Sequence, residues 1–156
     1  MSFSIRIEGL DQLIKDADRA GGELPSLMMQ TMVKAVTLVK NSAREIRDGS
    51  FKNRTGTLRR SITGDPQSAS RGRVYVDQDY GIYVEEGTRP HTILPKAGKR
   101  FLAFKVDGRM VFARRVNHPG SKPYPFMEPA YRESAPKILE EYAKIGERLV
   151  ATMAGK

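Results

Sequence analysis

The chain has 156 residues, 39% of them hydrophobic and 29% charged, with a formal net charge of +9 and no Cys or Trp. That length suits a single domain, residues 1–156, with enough interior to bury a core. The absence of cysteine excludes disulfides, thiol catalysis and thiolate metal sites and fits a reducing compartment, and no stretch approaches the ~20 apolar residues of a membrane span.

The opening MSFSIRIEGL carries no apolar h-region, so no secretory signal is expected. Phe3, Ile5 and Ile7 alternate with polar residues, which predicts a short half-buried strand ended by Gly9. Leu10, Leu13, Ile14 and Ala17 then fall at helical spacing, and Gly21-Gly22 should stop that helix. Pro25 fits the first turn of the next helix, where its missing N–H costs nothing. Leu24, Met28, Met32, Ala35, Val39, Ser42, Ala43 and Ile46 follow as one stripe, with Lys34, Lys40, Arg44 and Arg47 mostly off it. A helix over Pro25–Asp48, closed by Gly49, would be about 36 Å long and could span a whole small domain.

TLRRSIT, with Leu58 and Ile62, is expected to be a strand, and Gly64–Gly72 a loop. Arg73–Asp77 reads as a strand with Val74 and Val76 on one face. Tyr80–Glu86 fits a short helix or a strand equally well. Phe101–Val116 reads as a hairpin, because Asp107-Gly108 supplies the positive-φ pair of a type I′ turn. A two-residue turn puts Leu102, Phe104, Val106, Val111 and Ala113 on one face and Phe101, Ala103, Met110 and Phe112 on the other. Both faces are largely apolar, so the hairpin is either covered twice or waits for a partner, with Met110 and Phe112 the candidate subunit contact. Pro119, Pro123, Pro125 and Pro129 argue against regular structure through about residue 129. Ser134 then resembles an N-cap with Pro136 in the first turn, ahead of the stripe Ile138, Tyr142, Ile145 and Leu149. The expected class is α+β, a long helix and a C-terminal helix packed on a mostly antiparallel sheet.

No residue pattern points to an enzyme. The two histidines, His91 and His118, each lie next to a proline without HxxxH or HExxH spacing, so no metal site is expected. Glu85 and Glu86 are adjacent, and neither a helix nor a strand aims neighbouring side chains at one point. No local spacing recommends a Ser–His–Asp triad, and no glycine loop of the phosphate-cradling kind is present. No catalytic residue, cofactor or metal is therefore assigned.

The charge distribution is lopsided. Residues 87–122 hold nine Lys or Arg and one acid, Asp107, whereas the remaining chain is nearly balanced. Arg89, Lys96, Lys99, Arg100, Lys105, Arg109, Arg114, Arg115 and Lys122 are thus candidates for one cationic surface facing DNA or an acidic partner. The plainer reading is a solvated face that keeps the chain soluble. No recognition helix, zinc finger or aromatic platform accompanies the charge, so any nucleic-acid contact would be electrostatic and blind to sequence. With four basic groups, two prolines and few apolar anchors, Thr88–Arg100 is expected to project from the sheet as a mobile loop.

Four stretches carry a family resemblance: IRIEGLDQL at Ile5–Leu13, TGTLRRSI at Thr55–Ile62, YGIYVEEGTRPH at Tyr80–His91 and HPGSKPYPFMEPA at His118–Ala130. In this order they resemble the boxes of the tail-completion, or head–tail joining, proteins of long-tailed bacteriophages, a minor tail protein family whose type member belongs to a lambdoid coliphage. Gly81 stands where that family usually has Ala. The resemblance implies a tail-terminator-like fold and a structural role in the virion at the neck or tail, after assembly in the host cytoplasm. It implies self-association as a ring, a hexamer, with the head connector and tail terminator or tail tube proteins as partners, transient nonspecific contact with genomic DNA and no membrane. The alternative is a free, sequence-independent nucleic-acid-binding protein that uses the basic 87–122 region.

Overall fold

A computed structural model describes residues 2–19, 23–50 and 56–154. The Gly21-Gly22 stop and Thr55 lie outside the described residues, as do the side chains of Leu13, Ala17 and Leu149. The fold is α+β. Strand β1 (Ser2–Arg6) leads into helix α1 (Leu10–Arg19) and the long helix α2 (Leu24–Ser50). Next come a single helical turn α3 (Thr57–Arg60), strands β2 (Ile62–Pro66) and β3 (Arg71–Val76), and a short helix α4 (Gly81–Glu86). Strands β4 (His91–Ile93), β5 (Leu102–Val106), β6 (Arg109–Ala113) and β7 (Val116–His118) precede helix α5 (Met127–Ala154).

β3 is the centre of a three-stranded antiparallel sheet in the order β1-β3-β2. The register brings Phe3 and Gly64 opposite Val74, Ile5 and Pro66 opposite Gly72, and Ile62 opposite Val76. With a side-chain period of two, these residues share the face that meets α2. Gly64 and Gly72 leave grooves there for the helix: a Cβ on Gly64 would lie 2.4 Å from Val36 Cγ1, and one on Gly72 2.5 Å from Val36 Cγ2. The expected α2 stripe is the one that is buried, with Met28, Met32, Ala35, Val39 and Ala43 all at most 2% exposed. Each large side chain of that stripe stabilises the fold by about 1.5–3 kcal/mol. Val36, which the stripe omits, is buried as well, because the helix is covered on two sides.

The second cover is α5, which packs chiefly on α2 rather than on the strands. Phe126, Met127, Ala130 and Ile138 join Met32, Val39, Ala43, Leu58, Ile62 and Val74 in one core cluster.

Local readings changed in five places. The expected loop Gly64–Gly72 is strand at both ends, in β2 through Pro66 and in β3 from Arg71, so only residues 67–70 turn. TLRRSIT is not a strand throughout: after Gly56, at φ 68°, Thr57–Arg60 forms a helical turn that buries Leu58, and the strand begins only at Ile62. Arg47 is 3% exposed rather than off the buried stripe. α2 runs through Gly49 to Ser50. α5 begins at Met127, seven residues ahead of Ser134, so that Pro129 occupies its first turn and Pro136 lies on its exposed side. Among the described residues, no helix is long and apolar enough to cross a membrane.

Candidate functional site

Residues 87–122 form one β-arm. Thr88 bridges Ser121; His91, Thr92 and Ile93 pair with His118, Asn117 and Val116; Leu102 through Val106 pair with Ala113 back to Arg109. The strands of the arm thus pair with one another, not with the three-stranded sheet. Asp107 and Gly108 turn the tip with φ of 48° and 81°, the two positive values that a type I′ hairpin demands. Between the rungs, Leu94–Phe101 bulges out opposite Arg114 and Arg115. Thirteen residues separate Gly108 from Ser121, so the tip reaches at most about 45 Å from the root.

The arm's root is tightly built. Thr88 and Ser121 exchange both backbone hydrogen bonds at 3.1 Å, and their hydroxyls lie 3.1 Å apart. Gly87 and Gly120 have φ of 72° and 89°. A Cβ on Gly87 would meet Ser121 O at 2.4 Å, and one on Gly120 would meet Thr88 O at 2.2 Å. Only glycine satisfies both demands, positive φ and contact with the opposite backbone. One rung further out, the rings of His91 and His118 stack with centroids 5.1 Å apart. His91 Nδ1 donates to Arg89 O at 2.8 Å, whereas His118 Nδ1 accepts from Gly120 N at 3.1 Å. Each ring is therefore engaged in shaping the root. The stretch expected as a mobile loop, Thr88–Arg100, is laddered from its start through Ile93, and only Leu94–Arg100 is loop.

Glu85 joins the root to the body. Its side chain is buried between α4 and α5, and its carboxylate accepts from the backbone N–H groups of Phe126 (2.8 Å), Met127 (3.0 Å) and Glu128 (3.1 Å). The next residue, Pro129, has no N–H. Every donor that the start of an α-helix normally leaves unmatched is thus met by one side chain or is absent. The negative charge also faces the positive end of the helix dipole. Tyr124 N donates to Val84 O at 2.8 Å and ties the segment before α5 to the same short helix. Glu86 points to solvent, so the two adjacent carboxylates diverge as their spacing requires.

All nine arm cations are exposed, but they do not make one surface. Lys105 pairs with Met110 and shares its face, whereas Arg109 lies on the opposite face. Lys96, Lys99 and Arg100 occupy the bulge, with Lys99 N bonded to Lys96 O in a turn. Arg114 stacks over the Phe101 ring at 5.6 Å, and Arg115 Nε donates to Asn117 Oδ1 at 3.1 Å. Arg89 and Lys122 lie beside the root. The expectation of a single cationic surface is corrected to a ribbon charged on both faces. Its cause is the alternation of side chains along a strand.

Met110 and Phe112 do share a face, with Ala103 opposite Phe112. They are 52% and 66% exposed, and on the other face Val106 and Val111 are exposed too. Leu102, Phe104 and Ala113 on that second face are half-buried, so among the described residues the face with Met110 and Phe112 is the barer of the two. A groove of about 510 Å³ lies at the other end of the arm, lined by Ile82, Tyr83, Glu86, Gly87, Thr88, Arg89 and His91. No local pattern flagged Glu85, Gly87 or Gly120; the only signal was the EEGT and HPG wording of the two boxes. No family model, curated protein or solved structure matches this chain.

Proposed function

We propose that the protein is a structural component of a long-tailed phage or prophage particle, acting in tail completion and head–tail joining as one subunit of a ring, a hexamer, at the neck. Its neighbours in that reading are the head connector and the tail terminator or tail tube proteins, and genomic DNA passes as a transient, nonspecific contact. The role is architectural and asks for no catalytic group. The observation that carries the reading is the β-arm: a ribbon held firmly at its root, apolar on both faces and bearing eight of the nine net positive charges. A ring around a DNA channel favours such charge because phosphates pass through it. Burying Phe112 and Met110 contributes about 1.5–3 kcal/mol each, too little for a tight isolated dimer once association entropy is counted. Closure of a ring or docking on a connector adds the missing avidity.

The test is a particle that lacks this protein. Electron microscopy should show filled heads and separate or defective tails; normal infectious particles would refute the assignment. A second reading, a free sequence-independent nucleic-acid binder, is favoured by the exposure of all nine arm cations. It expects tight DNA binding by the protein alone at physiological salt. The ring reading expects weak binding whose salt slope flattens when Lys96, Lys99 and Arg100 are replaced by Ala.

A further inference from the structure

We infer that the arm tip of one copy docks in the α4 groove of the next copy, head to tail. This rests on the ring reading above and names the contact that would build it. The tip face presents Met110 and Phe112 at its centre, with Lys105 on the same face and Arg114 beside Phe101. The groove presents the exposed side chains of Ile82 and Tyr83 with Glu86 on its wall, and Asp79 is exposed in the turn that leads into α4. Apolar centre meets apolar centre, and two cations meet two carboxylates; among the described residues, Arg89 is the one Lys or Arg lining the groove. Its volume falls within the roughly 300–1,000 Å³ of ordinary binding clefts.

The geometry makes the contact intermolecular. The groove is lined by the arm's own root, Gly87 to His91, whereas Met110 and Phe112 lie at the far end of the same paired ribbon. Within one chain the two surfaces do not meet, for Tyr83 is 58% and Phe112 66% exposed. A tip and a groove at opposite ends of one arm form a heterologous pair. Such a pair propagates and closes into a ring when the rotation per subunit allows it. A two-fold dimer would instead bring like surfaces together.

The chain contains no Cys, so engineered thiols report the contact without background. Tyr83→Cys and Phe112→Cys both fall at exposed positions, and a thermal melt checks that the fold is kept. Oxidised at a concentration where the protein associates, the double variant should give a ladder of covalent oligomers. A mixture of the two single variants should give a mixed dimer and nothing larger. Reversing Lys105 and Arg114 to Glu should weaken association at least tenfold, and adding Glu86→Lys and Asp79→Lys should restore it. Rings seen by microscopy that neither cross-link nor respond to charge reversal would overturn this contact and leave the ring reading standing. Cross-linked chains that never close would support the contact and remove the ring. No association at millimolar concentration, alone or with connector, would overturn both.

Discussion

Replacing Glu85 tests whether a residue from the arm's root sets where α5 begins. In Glu85→Ala, three backbone N–H groups lose their acceptor. Phe126 and Met127 are fully buried, so water does not reach their N–H groups, and each orphaned donor costs about 1–3 kcal/mol. Relief of the carboxylate's own desolvation offsets part of this, and the net loss should fall near the ~3–5 kcal/mol typical of breaking a buried charged pair. Glu85→Gln keeps one acceptor oxygen but turns an NH2 toward the remaining donor, and should cost about 1–3 kcal/mol. For a chain of this size 1 kcal/mol moves Tm by about 2–4 °C, so Ala should lower it by roughly 6–20 °C. Urea unfolding followed by circular dichroism, with the m value held constant, measures the difference. A Glu85→Ala protein within about 0.5 kcal/mol of wild type, the range of ordinary surface changes, would refute the reasoning.

Gly64→Ala should destabilise by about 1–3 kcal/mol through overpacking, since its Cβ would press on Val36 Cγ1. Combining it with Val36→Ala should recover part of the loss, and a double-mutant cycle in urea reads that coupling. The Tyr142 hydroxyl donates to Ala69 O at 3.0 Å, and burial pushes its pKa up to about 12. The neutral phenol is favoured in the folded state. The stability this contributes is fully present below the unfolded value of about 10 and is lost as pH rises through about 12. Absorbance at 295 nm should show a late phenolate step that is absent from Tyr142→Phe.

Features that depend on near neighbours in the chain were legible in the residues. The α2 stripe was, because Met28, Met32, Val39 and Ala43 recur at helical spacing and are buried for that reason. The hairpin was, because Asp107-Gly108 alone decides its turn and therefore its register. The start of α5 was not. Four prolines discourage a helix before Ser134, and the carboxylate that rescues the first turn comes from Glu85, 41 residues upstream of Phe126. Leu58 misled for a related reason: it packs into the core from a helical turn, and one apolar residue does not tell a turn from a strand. The candidate site was legible as charge and as apolar faces. Its spread over both sides of a ribbon and the groove at its root depend on pairings between residues up to 33 positions apart.

The single rung at Thr88 and Ser121 gives the arm a modular character. The two ends of the arm leave the body side by side at that rung, much as the two ends of a tight turn would. Because loop closure grows so slowly with length, doubling what lies beyond the rung costs the body only about 0.6 kcal/mol. The arm can therefore be lengthened or shortened by whole rungs, each shifting the tip by about 3.3 Å, with no repacking around α2. Reach is an adjustable dimension of this fold, separate from its stability, and with it the distance across which one copy can engage the next.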